Sequence, residues 1–364
     1  MNRISAKIIA DSLNEFGDRL TTFVLVFPRI FLAELNTHRM LSRNSASSRA
    51  IPFKTMLKKV QEEPFVPIKF LREHKGMQGT EYFEGEELLK RQEWWIQSAK
   101  AATLMAEELS NLGVTKQLCN RLLEPFLYHT VICTASEYEN FFALRAHPQA
   151  EIHIADLAEK MLIAYNESEP KKLVAGQYHI PFGDTFDKDR LYTMIEADHG
   201  VYDPVLFHNE MHGDHRNDEL ITKYKVKISI ARCARISYNN FEGKDDYEAD
   251  IKLYNQLVGS GHMSPTEHVA RAMSKDEYYS HFFGKLNTID ETIPNWNKYI
   301  AKYGAAHYLH HTDLECEDPK RLIHEQCLDF EDKQFGWSGN FKGFIAIRKE
   351  IEGENKSDNR VIKK

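Results

Sequence analysis

The sequence predicts a mixed α+β fold, an antiparallel sheet carrying long helices. Three observations point there. Ile4 to Leu13 and Leu20 to Phe27 are rich in β-branched and apolar residues and flank the polar, turn-forming Asn14-Glu15-Phe16-Gly17-Asp18, which reads as a hairpin. Glu84 to Leu112 and Glu151 to Tyr165 carry apolar residues at helical spacing over lengths that strands do not reach. The chain of 364 residues is 42% hydrophobic and 28% charged, enough for a sizeable core in one large or two small domains.

In order, Pro28 suits the first turn of a helix that runs to about Asn36. A polar stretch, Thr37 to Arg49, follows, and Ile51-Pro52 opens a helix through Lys59. Pro64 to Phe83, broken by Pro64, Pro67, Gly76 and Gly79, reads as a long loop near the site. Gly113 caps the long helix, and its Trp94-Trp95 pair reads as core or subunit interface. Thr115 to Leu123 is a further helix ended by Pro125, and Leu127 to Thr134 is a strand or a buried helical turn. Ser136-Glu137-Tyr138-Glu139 has the form of a capping box opening a helix to about Arg145. Gly176 to Phe182 is a short strand and turn in which His179 reads as a satisfied buried histidine. These elements define a first segment, 1–186. The polar 187–224 reads as a linker, 225–350 as a second segment with an amphipathic helix from about Asp245 to Val258, and 351–364 as a flexible tail.

Composition narrows the function. The formal net charge is −7, which disfavours a nucleic-acid polymer as partner. No apolar run approaches the about 20 residues that span a bilayer, and the N-terminus has no secretory pattern, so no membrane association is expected. Five scattered cysteines without a CxxC pair suit reduced thiols, and a cytoplasmic location is expected. His199, His208, His212 and His215 match no metal-ligand spacing, and His307, His310 and His311 lack a supporting carboxylate or thiol, so no metal is expected.

The stretch Thr37-His38-Arg39-Met40-Leu41-Ser42-Arg43-Asn44-Ser45-Ala46-Ser47-Ser48-Arg49 holds one His, three Arg, one Asn and four Ser, with no carboxylate. Guanidinium forks match phosphate oxygens, and Ser and Asn add short donors, so the stretch is a candidate anion cradle. A solvated turn after a helix is the competing reading. The stretch resembles the signature of the flavin-dependent thymidylate synthases (ThyX): Arg-His-Arg, seven residues, Ser, and Arg two residues on. His38, Arg39, Asn44, Ser47 and Arg49 match; Thr37 stands for the first Arg and Ser45 for a Glu.

Two further segments resemble that family. Asn140-Phe141-Phe142-Ala143-Leu144-Arg145, a short linker and Glu151-Ile152 follow one family pattern, and Arg121, four residues before Pro125, matches a nucleotide-binding Arg. Ala231-Arg232-Cys233-Ala234-Arg235-Ile236-Ser237-Tyr238, a helix, and Gly261-His262-Met263-Ser264-Pro265-Thr266-Glu267-His268 match segments that precede the signature in the family but follow it here. The resemblance therefore implies a ThyX-like fold with its segments permuted in order. Ser338 to Lys349 echoes Phe27 to Arg39, which would instead make the chain a diverged duplication.

The resemblance implies FAD as cofactor, held by His38, Arg39, Asn44, Asn140, Arg145, Ser237, Ser264 and Glu267. It implies a dUMP-like substrate at Glu34, Ser47, Arg49, Arg121 and Arg145, with Ser47, Arg49, Arg121 and His262 as the catalytic set. It implies methylation of dUMP at C5 with methylene-tetrahydrofolate and NADPH as co-substrates, in a homotetramer, or a dimer if duplicated. C5 of uracil is a poor nucleophile, and no cysteine here lies in a nucleophile context; a flavin would carry the hard chemistry. Thr37 and Ser45 leave open dCMP as substrate, a hydroxymethyl product, or a non-catalytic nucleotide-binding relic. A histidine-rich metal hydrolase is the rival from another class.

Overall fold

The computed structural model describes residues 3–76, 79–199, 215–238, 245–278 and 336–351, and the side chains of 196–199, 215–218 and 237–238 lie outside that description. The predicted hairpin is β1 (Ser5–Leu13) and β2 (Arg19–Pro28), paired antiparallel, with Asn14 Oδ1 accepting from the amides of Phe16 and Asp18 to fix the turn. The helix expected after Pro28 begins as a 3-10 turn and continues as α1 (Leu32–Asn36), followed by β3 (Ser42–Ser45). Then come α2 (Phe53–Glu62), α3 (Gly85–Asn111), α4 (Lys116–Leu123), β4 (Tyr128–Ala135), α5 (Glu139–Arg145), α6 (Ile152–Glu167), β5 (Lys171–Lys172) and β6 (Tyr178–His179).

The sheet runs β3-β4-β2-β1-β5, antiparallel except for the β1–β5 pair. Both faces are covered, which explains why β2 reads as an unbroken apolar run. Phe23, Leu25, Phe27, Val131 and Cys133 pack under Ile154, Leu157 and Met161 of α6. On the other face Val24 and Ile132 meet a second helical layer. Helices α2, α3 and α4 build a separate core with Ala46 of the signature stretch and Ile51 just beyond it. The loop before α3 lies along that helix, with Trp95 Nε1 donating to the Phe65 carbonyl and Gln92 to that of Pro67. Trp95 is therefore core, whereas Trp94 is 67% exposed.

Two expectations are corrected. The stretch read as a linker is helical where described: α7 (Lys188–His199) and α8 (His215–Tyr238). Leu191, Met194, Ile195, Ile221 and Tyr224 are buried against the sheet-covering layer, a helical apolar spacing outweighed in the sequence by polar neighbours. The capping box does not form. Tyr138 is the cap position with no side-chain bond, and Ser136 Oγ accepts instead from the Lys342 amide, a partner 206 residues away.

The second segment continues with α9 (Tyr247–Gly259), β7 (Ala270–Ala272), β8 (Trp337–Ser338), β9 (Phe341–Lys342), β10 (Phe344–Ala346) and α10 (Ile347–Glu350). It closes onto the first, because β7 pairs with β6 on one side and β10 on the other. Gly343, at φ +74°, brings its carbonyl to Asn14 Nδ2 at 3.1 Å, and an added Cβ there would meet that nitrogen. Where α8 and α9 meet, Asp250 is fully buried between Arg232 (Nε at 3.2 Å) and Arg235 (Nε at 2.6 Å).

Candidate functional site

The signature stretch is shaped locally. Thr37 Oγ1 donates to the Glu34 carbonyl and closes α1. Arg43 Nη1 then donates to the carbonyls of Leu35 (3.1 Å) and His38 (2.6 Å), which locks the turn into β3. Strand alternation buries Ser42 and Asn44 and leaves Arg43 and Ser45 half-buried. Beyond β3, Asn120 of α4 donates to the carbonyls of Ser48 (2.6 Å) and Ile51 (3.0 Å), fixing the loop that bears Ser47 and Arg49. Arg43, one of the cradle's three arginines, is taken up by the turn itself, and Asn120 was not a candidate from sequence; both act on backbone carbonyls, which no motif displays.

Three groups of candidates form around this stretch. In the first, α5 presents Arg145, whose Nε donates to His38 Nε2 at 3.0 Å and whose Nη2 donates to Thr37 Oγ1 at 3.1 Å. His38 is held below its ordinary pKa by burial and then by the Arg145 and Arg43 charges. It is therefore neutral and accepts at Nε2, its ring edge-on to Phe141 at 5.0 Å. The threonine in place of arginine thus receives a guanidinium from Arg145. Asn140 and Arg39 are exposed.

In the second group, Arg49 Nε donates to Gln117 Oε1 at 3.1 Å, and Arg121 lies one turn further along α4. Both arginines are exposed on a surface that also shows Leu118 and Leu122. Ser47 is half-buried. The described residues show no direct bond between this pair and the His38–Arg145 pair.

The third group comes from the second segment. The turn Ser264–Glu267 packs on β3, and Asn340 reaches toward the Arg39 carbonyl. Glu267 forms an ion pair with Arg348 and is one of the charges acting on Arg43. Ser264 is half-buried and His262 exposed. The Ser237 side chain lies outside the described residues, as do the side chains of the histidine-rich stretches. Among the described residues Glu34 Oε2 and Asn44 Nδ2 are buried without a partner, one acceptor and one donor within the signature region. Among the described residues no group of His, Cys, Asp or Glu is placed to hold a metal, and no helix is long and apolar enough to cross a membrane.

Comparison with known proteins agrees with the signature. The sequence model described as thymidylate synthase complementing protein matches residues 19–171. Curated proteins give no match. Among solved structures, the UMP/dUMP methylase PolB from Streptomyces cacaoi, bound with 5-Br UMP, aligns at 15% identity over 46% of this chain and 90% of that one, with a TM-score of 0.39. The same enzyme bound with 5-Br dUMP aligns at 15% identity over 46% and 91%, again at 0.39. A structural likeness of that size carries no argument about this chain's activity. What the sequence match does show is that the segment from Arg19 to Lys171, which contains the signature stretch, is similar to the thymidylate synthase complementing protein family.

Proposed function

We propose that this protein is a flavin-dependent pyrimidine-nucleotide methylase that converts dUMP to dTMP, with methylene-tetrahydrofolate and NADPH as co-substrates. The observation that carries the reading is the convergence on one signature stretch of Arg145 from α5, Gln117 and Arg121 from α4 beside Arg49, and the Ser264–Glu267 turn from the second segment. An isolated basic turn would need none of these.

The residues suit a polar, anionic cofactor and substrate. Glu34 Oε2 and Asn44 Nδ2 are buried and unpaired among the described residues, an expensive arrangement without a polar ligand. FAD would be held by His38, Arg39, Asn44, Asn140, Arg145, Ser237, Ser264 and Glu267, and would supply the hydride and carbon transfer to C5. Arg49 and Arg121 bind the nucleotide phosphate, because two guanidiniums on one surface concentrate a dianion despite the acidic whole. Ser47 positions the nucleotide, and Glu34 accepts from it. His38, kept neutral, orients Arg145 between flavin and pyrimidine. His262 is assigned to the catalytic set at the flavin and folate face. The exposed Leu118, Leu122 and Trp94 fit a site completed by another subunit, as in a homo-oligomer.

Equilibrium binding tests the assignment. Arg49→Ala and Arg121→Ala should each weaken dUMP binding about tenfold or more. Arg145→Ala should weaken FAD binding to a similar extent and leave the α4 surface competent. Unchanged dUMP affinity in both the Arg49 and Arg121 variants would sink the reading. Tighter binding of dCMP than of dUMP would move the substrate to the cytosine nucleotide, a change that Ser45, in place of the family's Glu, makes chemically reasonable.

A further inference from the structure

A single run of hydrogen bonds crosses the interior beneath the signature strand. Ser12 Oγ lies 2.9 Å from His179 Nδ1, and His179 Nε2 lies 2.7 Å from Thr22 Oγ1. Thr22 Oγ1 is 2.8 Å from Thr134 Oγ1, which is 2.9 Å from His268 Nδ1. All five residues are buried. They come from β1, β6, β2, β4 and the residue that follows the Ser264–Glu267 turn. Thr134 is also the cross-strand partner of Ser42 in β3. At one end, Ser12 lines a cavity of about 340 Å³ together with Asp11, Asp184, Lys171, Lys188 and Lys225. At the other, His268 Nε2 is buried without a partner among the described residues.

The proton count of this run is restrictive. Burial holds both imidazoles at about 3; Asp11 opposes this at His179, and His179 adds to it at His268. Each ring is therefore neutral, with one N–H and one lone pair, and each hydroxyl brings one proton. Among the described residues neither threonine hydroxyl has another acceptor. Two arrangements then satisfy all four links. In one, every donor points toward His268, whose Nε2 carries a hydrogen. In the other, every donor points toward Ser12, and His268 Nε2 is a bare acceptor. The two rings hold the same tautomer in either case, and one arrangement becomes the other when each shared proton moves one link.

We propose that Ser12, His179, Thr22, Thr134 and His268 form a proton path between the cavity at Ser12 and the candidate site. Its use rests on the function proposed above. Replacing the hydrogen at C5 by a carbon group breaks the C5–H bond, leaves its electron pair on the ring and releases one proton. His268 Nε2 takes up one proton from the site through a bound water, each link shifts by one, and Ser12 returns one proton to cavity water. His179, Thr22 and Thr134 are positioning residues that act through His268.

Two measurements decide it. The first is the ¹⁵N spectrum of histidine-labelled protein without flavin or nucleotide, assigned with His179→Gln and His268→Gln. Matched tautomers in His179 and His268 are expected; opposite tautomers mean a broken run and overturn the proposal. The second is turnover of dUMP by Thr134→Val and Thr134→Ser. The valine variant should lose about a hundredfold in kcat with KM little changed, and the serine variant, which keeps the hydroxyl, should recover most of it. Unchanged kcat in Thr134→Val overturns the path and leaves only a structural network. Absence of flavin turnover in the wild type counts against the methylase reading, and the spectrum is then decisive by itself.

Discussion

Lowering the pH from 7.5 to 5.0 should cut the unfolding free energy by about 6 kcal/mol, measured by urea titration at each pH. The cause is three imidazoles buried neutral. Burial takes His129, His179 and His268 from 6.5 to about 3, with the Arg29 charge adding to the effect at His129. Each folded-state pKa is depressed, so the unfolded chain binds protons below about 6.5 while the native chain does not. Stability is therefore fully present above that value and is lost as the pH falls toward 3, at about 1.4 kcal/mol per pH unit for each imidazole. His129→Gln should reduce the slope by about a third. A change below about 1 kcal/mol would show that these rings are protonated in the fold, and would contradict the neutral rings on which the hydrogen-bonded run depends.

Asp250→Ala should be the most damaging single substitution in the second segment, at about 3–5 kcal/mol. The carboxylate is fully buried, and its two oxygens take Arg232 Nε and Arg235 Nε. Removing it leaves Arg235 half-sheltered without an ion-pair partner, while Arg232 keeps Asp245. The same arginines belong to the segment that resembles the family's, so the pair fixes how α8 meets α9 and, through α9, where the Ser264–Glu267 turn reaches β3. Thermal unfolding with the wild type as reference measures it. A loss below about 1 kcal/mol would mean the cluster is open to water, as exposed pairs are.

How far the sequence could be read depended on the range of the forces involved. The β1–β2 hairpin, α3 and α6 were legible because period and turn chemistry are local. β4 stayed ambiguous between strand and helix because a strand covered on both faces loses its alternation. α7 was hidden by polar neighbours, though Leu191, Met194 and Ile195 carry helical spacing. Among the candidate site residues, His38, Asn44, Ser47, Arg49, Arg121 and Arg145 were visible through motif order. The residues that hold them in place were not. Arg43 and Asn120 bind carbonyls, Gln117 meets an arginine 68 residues away, and Arg348 pairs with Glu267 from 81 residues away. His268 looked like the tail of a motif, and its bond to Thr134, 134 residues distant, is what gives it a place in the account.

The central claim is a flavin and a pyrimidine nucleotide on one signature stretch. Its most direct test is the absorption spectrum of the purified protein with added FAD, before and after anaerobic NADPH, with and without dUMP. The account predicts a bound-flavin band that NADPH bleaches, faster when dUMP is present. A protein that binds no flavin under these conditions would contradict it and leave a nucleotide-binding relic of the family.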